Sequence, residues 1–354
     1  MADINTTLND VFKSTPIGDV RSAIGTVLYG TNHRQTPNRV PINQDGYGLT
    51  FMTRPQLNLS TGNLRAMRQF IPLLTTDELS IPRYIRGTLD PRLNLPCPIL
   101  DQKSAFIPVL TNHMLQCSGW PDPLLEVHTS HPGNYKEVFA MVDSTINIYS
   151  AYDISATFRN MIGDPITSLF YVWAIYMSSV FTGDMTPYPD MIANNEIDYN
   201  TRIYRLILDK TKRYVQKIAC TGASFPRGVP IGRAFDFDHI VPLNPAQHDP
   251  IQIQIQCIGV RYQDPIIVYN FNKVVEIFNP SMNDSNRSSA MQQLKQSELQ
   301  FFNNRGYPRI DPNTMELLWF VSQQDYTSSM AGYTRNMNAL KSTVIQQPDD
   351  ELID

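Results

Sequence analysis

Thr145-Ile146-Asn147-Ile148-Tyr149-Ser150-Ala151-Tyr152-Asp153-Ile154-Ser155-Ala156-Thr157-Phe158 decides the fold. Ile146, Ile148, Tyr152, Ile154, Ala156 and Phe158 share one face, and Asn147, Asp153, Ser155 and Thr157 share the other. A period of two predicts a half-buried strand, with a break near Ser150. Gly163-Asp164-Pro165 then opens an aromatic helix from Pro165 to Phe181, with Asp164 as the expected cap and Pro165 in the first turn. Gly183 supplies the left-handed residue that stops it. This helix is apolar on nearly every face (Leu169, Phe170, Val172, Trp173, Ile175, Met177, Val180). It is shorter than the roughly 20 residues of a membrane span and carries four serines and threonines, so a buried core helix is the reading.

Downstream, Ile203 to Leu208 and Tyr214 to Cys220 read as a hairpin joined through Asp209-Lys210-Thr211. Thr221-Gly222-Ala223-Ser224-Phe225-Pro226 reads as a turn. Ile251-Gln252-Ile253-Gln254-Ile255-Gln256-Cys257 alternates strictly, so its isoleucines face a core and its glutamines face water or a partner. Ile266 to Phe271 is expected as a further strand, Ser285 to Asn303 as a helix and Met315 to Val321 as another helix.

Upstream, Tyr47 to Thr53 reads as a strand stopped at Pro55 and resumed by Gln56 to Ser60, before a short helix from Asn63 to Phe70 capped by Ser60 or Thr61. From Thr75 to Pro132 a proline recurs every few residues, which restricts regular elements to short pieces. Residues 1–45 carry too little apolar surface to fold alone and read as an extended arm; the tail Pro348 to Asp354 is acidic. The expected organisation is an N-terminal arm (1–45), a β-rich core (46–278) with a proline-rich insertion at about 75–132, and a polar helical extension (279–354). The expected class is α+β: mainly antiparallel sheet or sandwich packed on one aromatic helix.

The 354 residues hold 18% charged side chains and a formal net charge of −4, which argues against a basic nucleic-acid stripe. Cys97, Cys117, Cys220 and Cys257 form no C-x-x-C and read as buried thiols in a reducing compartment. The start Met1-Ala2-Asp3-Ile4 has no secretory pattern, so folding in cytoplasm is expected.

Chemistry is sparse. Asp238-His239-Ile240-Val241-Pro242-Leu243 resembles the opening of an HNH nuclease motif, but only His248 follows it and no helix is expected there. Glu126, His128 and His131 lack a helical frame for metal, and Gly222, Gly228 and Gly232 are interrupted by Pro226 and Pro230. Arg54, Arg65 and Arg68 suit partner salt bridges or a solvated face better than phosphate. No catalytic, cofactor-binding or metal residue is assigned.

Tyr47-Gly48-Leu49-Thr50-Phe51-Met52-Thr53-Arg54-Pro55-Gln56-Leu57-Asn58-Leu59, Thr157-Phe158-Arg159-Asn160 with Gly163, Trp173 and Tyr176, Ile197 to Tyr204 and Gly222 to Pro230 together resemble virion structural proteins of contractile-tailed bacteriophages. That resemblance covers about Gly46 to Asn272, and Phe225-Pro226, the strand Ile251 to Cys257 and Tyr262 are in addition similar in order to tail-tube proteins. That resemblance implies a tail-tube-like fold and a virion protein of the tail or baseplate, assembled in host cytoplasm. It implies copies joined edge to edge in a ring of six through which the genome passes, with neighbouring tail or baseplate proteins as partners. It implies neither specific nucleic-acid binding nor membrane association. The extra arms suit a tube-initiating, baseplate or neck ring. Phe51, Arg54, Gln252, Gln254, Gln256 and Tyr262 are the candidate contacts between subunits. Two rivals remain open: the nuclease, with His239, and a fibre-attachment or receptor-binding module with an exposed aromatic patch at Trp120 or Tyr188.

Overall fold

A sheet of six strands forms the frame of the molecule, and each half of it is covered on a different face. The computed structural model describes residues 46–235 and 250–345. The strands are β1 (Tyr47–Met52), β2 (Met114–Ser118), β5 (Ala151–Phe158), β6 (Ile203–Leu208), β7 (Val215–Gly228) and β8 (Ile251–Tyr262). They lie in the order β1-β6-β7-β8-β5-β2, and every adjacent pair is antiparallel. Between β2 and β5 the chain forms a two-stranded ribbon, β3 (Val127–Thr129) with β4 (Ala140–Val142). Near the C-terminus β9 (Met291–Gln293), β10 (Tyr307–Ile310) and β11 (Leu317–Ser322) form a second sheet.

The helices are α1 (Thr61–Ala66), α2 (Ile81–Leu89), α3 (Pro108–His113), α4 (Pro165–Thr182), α5 (Pro189–Ala193), α6 (Pro265–Phe278), α7 (Asp284–Ala290) and α8 (Gln323–Ile345). The first core lies between α4 and the β8–β5 half. Ile253, Ile255 and Cys257 of β8 and Ile154, Ala156 and Phe158 of β5 pack with Ile166, Leu169, Phe170 and Trp173. The second core lies across the β1–β6–β7 half, on the opposite face. There Phe51, Tyr204, Leu206 and Ile218 meet Ile267, Phe271 and Val275 of α6, together with Ile310, Leu317 and Phe320 of the small sheet. Phe51, Phe106 and Phe271 form an aromatic triad with centroid separations of 4.8, 5.2 and 5.0 Å.

The helix expected from Pro165 is present and ends at Gly183, whose φ of 82° is left-handed. Its start differs from expectation. Asp164 adopts φ 46° and its side chain makes no capping bond, so Pro165 carries the start signal. Although α4 is long and apolar enough to cross a membrane by composition, it buries one stripe (Ile166, Leu169, Phe170, Trp173, Tyr176) and leaves Tyr171 and Phe181 exposed. That is the pattern of a helix lying on a sheet.

Several expectations are corrected. Thr221 to Pro226 is no turn: β7 runs through it, with a register shift beside Pro226, where a residue lacking an N–H is tolerated. Gln56 to Leu59 is not a strand; its N–H groups go to the Asp198 carbonyl, the Leu89 carbonyl, the Tyr176 hydroxyl and the Asp90 carboxylate in turn. Ile266 to Phe271 is helical, because Asp264 accepts from the Ile266 N–H and Pro265 sits in the first turn. That start signal outweighs the β-branched residues. Met315 to Val321 contributes strand β11, and the expected helix over 285–303 stops at Ala290, where Met291 enters β9. The early helix is α1, followed by a 3-10 segment from Arg68 to Leu74, and Ser60 precedes α1 without a side-chain cap. The 279–354 segment therefore supplies strands and buried side chains (Met282, Ile310, Phe320) as well as helix. The arm 1–45 and the tail from Pro348 lie outside the described residues.

Trp173 is fully buried and its indole N–H donates to the Tyr199 carbonyl at 3.1 Å. Trp173→Ala should cost about 3–5 kcal/mol, whereas Tyr171→Ala on the outer face should stay within about 1 kcal/mol. Urea unfolding of the two variants checks this, and equal losses would contradict the placement of the core.

Candidate assembly interface

The expected contact residues divide between the interior and an open sheet face. Gln252 and Gln254 are exposed and Gln256 is half-buried, all on the side of β8 away from α4. Their partners across the β8–β5 ladder are Thr157, Ser155 and Asp153, and beyond these β2 presents Gln116 opposite Thr157 and Ser118 opposite Ser155. Gln252 Nε2 donates to Ser155 Oγ at 2.7 Å, Gln256 Nε2 donates to the Tyr152 carbonyl at 3.2 Å, and Arg227 pairs with Asp153 at 3.0 Å. This half-face is built of amides and hydroxyls, with one ion pair across it. Such groups can donate and accept toward water or a neighbouring chain without carrying net charge.

Phe51 and Arg54 are not on a surface. Phe51 is 3% exposed inside the aromatic triad. Arg54 is also 3% exposed, and its guanidinium donates from Nε to the Thr88 carbonyl at 3.0 Å and from Nη1 to the Gln102 and Ser104 carbonyls at 3.1 and 3.2 Å. Nη2 donates to the Gly87 carbonyl. Gly87 and Thr88 belong to the last turn of α2, whose carbonyls have no helical partner and carry partial negative charge. The cation also lies 5.6 Å from the Phe278 ring. Burial lowers the Arg54 pKa to about 10, which leaves it charged at neutral pH. Both residues thus lie in the interior of the described chain and not on its surface. An arginine in a strand-ending T-R-P looks like a surface group until the orphaned carbonyls it serves are in place.

Tyr262 is half-buried; its hydroxyl donates to the Pro121 carbonyl at 2.5 Å and its ring meets Trp120 edge-on at 6.4 Å. Trp120 is itself half-buried, and Tyr188 donates to Asp90 Oδ2 at 2.8 Å under the Arg92 guanidinium. These two therefore do not form the exposed aromatic patch anticipated for a receptor-binding module. Three exposed aromatics, Tyr135, Phe139 and Tyr149, gather around the β3–β4 ribbon, and their sequence signal is an apolar run without a partner pattern. His128 lies on β3, and no cluster of metal-ligating side chains is found among the described residues. His239 and His248 lie outside them.

Two edges of the main sheet end without a further strand among the described residues: β1 on one side and β2 on the other. The second half of β1 is bordered by the 105–107 segment, where the Ile107 N–H donates to the Met52 carbonyl, while Tyr47 to Leu49 have β6 alone beside them. On β2, Leu115 sits at a register shift and is 63% exposed. Unpaired edges of this kind are templates for another strand.

Away from the open half-face, two buried carboxylates lock the irregular segment from Gln56 to Leu59. Asp90 accepts from the Leu59 N–H and the Tyr188 hydroxyl, and Asp198 accepts from the Tyr176 hydroxyl. Burial raises the pKa of both above the ordinary 3.8. The folded protein therefore holds these protons to higher pH than the unfolded chain, and their contribution to stability falls as pH rises through that interval. A doubly substituted Asp90→Asn/Asp198→Asn chain should gain on the parent as pH goes from 4 to 7, read as the difference in urea midpoint; a difference independent of pH would contradict the assignment. Arg54→Lys replaces a fork by a point donor and should lose about 2 kcal/mol or more in the same assay, while retention of full stability would show that the carbonyls find other donors.

The family described as "Putative phage tail tube protein" matches residues 2–336. No curated protein matches the chain. Among solved structures, the chain is similar to the tube-terminating cap of the anti-feeding prophage, with 14% identity and a TM-score of 0.27 over 45% of this chain and 82% of that one. It is also similar to the sheath/tube terminator of the extracellular contractile injection system PVC in its extended state, with 12% identity and a TM-score of 0.24 over 45% and 87%. The sheath–tube complex of that system gives 13% and 0.24 over 45% and 82%. Agreement this loose carries no argument about the present chain.

Proposed function

From the premise that this chain belongs to the phage tail tube protein family, we propose that it is a ring-forming structural protein of a contractile tail or baseplate, acting as a tube initiator or connector. Its work is mechanical and involves no catalytic step. Copies join edge to edge, β2 of one against β1 of the next, in a closed ring of six that leaves a channel for DNA. Neighbouring tail proteins are its other partners, the virion is its final location, and assembly takes place in host cytoplasm.

The observation that carries this reading is the polarity of the two edge strands of the described sheet. Six strands joined by antiparallel pairings alone put β1 and β2 in opposite directions. Rotation about an axis along the strands then sets β2 of one copy antiparallel to β1 of the next, and the same step repeats until the circle closes. Closure removes both edges, and with them the hazard of open-ended pairing. The coverage of the sheet suits the same arrangement. α4 lies near the β2 edge on one face and α6 near the β1 edge on the other. A neighbour therefore brings its open half-face up to a covered one.

Leu115→Asp puts a charge on the β2 edge without touching either core. Purified protein should sediment as a ring, and the variant as a folded monomer with an unchanged thermal midpoint. Cryo-EM of purified particles should show the ring as a stoichiometric tail component. A parent chain that stays monomeric at high concentration and is absent from particles would overturn the proposal.

A further inference from the structure

The β3–β4 ribbon has a shape but no core of its own. All of its strand residues are exposed, including Val127, Met141 and Val142 at 57%, 64% and 60%, and the adjoining Phe139 and Tyr135 reach 71% and 94%. Isolated two-stranded ribbons are marginal in water. This one is nevertheless tied at its root to the end of β8. The Tyr262 hydroxyl bonds to the Pro121 carbonyl, and the Gly259 and Val260 N–H groups donate to the carbonyls of Ser150 and Ile148 at 3.1 and 2.8 Å. Beyond the root, ladder bonds continue from Asp143–Glu126 to Gly133–Glu137. That length corresponds to an arm of about 25 Å at strand rise. The arm is acidic as well as apolar: Asp122, Glu126, Glu137 and Asp143 are exposed, against the single Lys136.

The opposite charge sits at the same end of the sheet, beyond the other edge. Because β2 ends and β5 begins at the ribbon, the alternation of strand direction places the start of β1, the end of β6 and the start of β7 at that same end. There the β6–β7 connection exposes Lys210 and Lys212, followed by Lys217 on β7, while Arg213 is paired with Glu316. Tyr47 and Tyr214 beside them are 45% and 40% exposed, and Lys212 Nζ stands 4.4 Å from the Tyr47 ring centroid. The nearby carboxylate Asp209 is engaged by the Arg213 and Tyr214 N–H groups of its own turn.

We propose that the ribbon of one copy docks across the β2–β1 seam onto the basic β6–β7 hairpin end and Tyr47 of the next copy in the same ring. This inference rests on the edge-to-edge ring proposed above. In that ring, β1 and β6 of the neighbour are the first and second strands past the seam. The hairpin end then lies about 10–15 Å away at ordinary strand spacing, well within the arm's length. The docked arm covers its apolar side chains with the neighbour's tyrosines and sets its carboxylates among lysines. The occupant is thus a second copy, held by charge complementarity that also fixes the direction in which copies join.

The test is a charge exchange in the full-length chain. One variant carries Glu126→Lys, Glu137→Lys and Asp143→Lys; a second carries Lys210→Glu, Lys212→Glu and Lys217→Glu; a third carries both sets. Each single set should raise the concentration at which rings dissociate about tenfold or more at low salt, and the combined set should restore most of the loss. Thermal midpoints of the dissociated chains confirm that each variant folds. In a second measurement, Asp143→Cys with Lys212→Cys in one chain should give oxidised species linked within single rings. Three outcomes overturn the inference while leaving the ring intact: rings indifferent to both charge sets, no recovery in the combined variant, or links formed only between stacked rings. A parent chain that forms no ring at all overturns the ring reading and the inference together.

Discussion

A single buried guanidinium holds the two halves of this molecule in register. Arg54 lies two residues past the end of β1; its N–H groups reach the last turn of α2 and the 102–104 segment, and its cation faces the Phe278 ring at the end of α6. α2 belongs to the core under α4, whereas Phe278 packs with the core on the other face. A cation at a helix C-terminus is favourable because the final carbonyls lack partners, and planar Arg can serve several of them at once. Without it those carbonyls would be buried and unbonded, a cost no apolar replacement offsets. Asp90 and Asp198 perform the reciprocal task for the donors of the irregular segment from Gln56 to Leu59.

The same constraint explains why the sheet can be open on both faces without being unstable. Each half has one dry side and one side facing out, and the dry side changes over between β7 and β8. The long β7 strand spans the changeover: Ile218 and Cys220 belong to the α6 core, while Ser224 pairs with Cys257 of the α4 core. What faces out on the β8–β5 half is neutral and polar, matching the low charge content of the chain as a whole. In the proposed ring such a surface is an advantage, since strong like charges would oppose contact between copies.

Much of the frame is legible in the sequence. α4 announced itself through Pro165 and Gly183, and β8 through its strict isoleucine–glutamine alternation, because those signals are local. α6 reads as a strand from Ile266, Ile267 and Val268 alone, while Asp264-Pro265 carries the helix start that decides it. The run from Leu317 to Val321 has no alternation, since β11 is half-buried on several sides, and its apolar spacing imitated a helix. Of the candidate contacts, the three glutamines stand on the open face because alternation fixes faces. Phe51 and Arg54 do not, since their burial depends on α2 and α6 arriving from elsewhere in the chain. The ribbon was invisible for a similar reason: Val127 to Thr129 and Ala140 to Val142 are too short to register a period.

The placement of the two cores on opposite faces has an evolutionary corollary. Substitutions that reshape the packing beneath α4 have little steric means of disturbing the aromatic triad beneath α6, because the sheet itself stands between them as a partition. Each compartment can therefore drift on its own, accommodating new arms or insertions, while the lattice of main-chain bonds that separates them stays the same. A lineage built this way can lose nearly all resemblance in its side chains and still keep its outline.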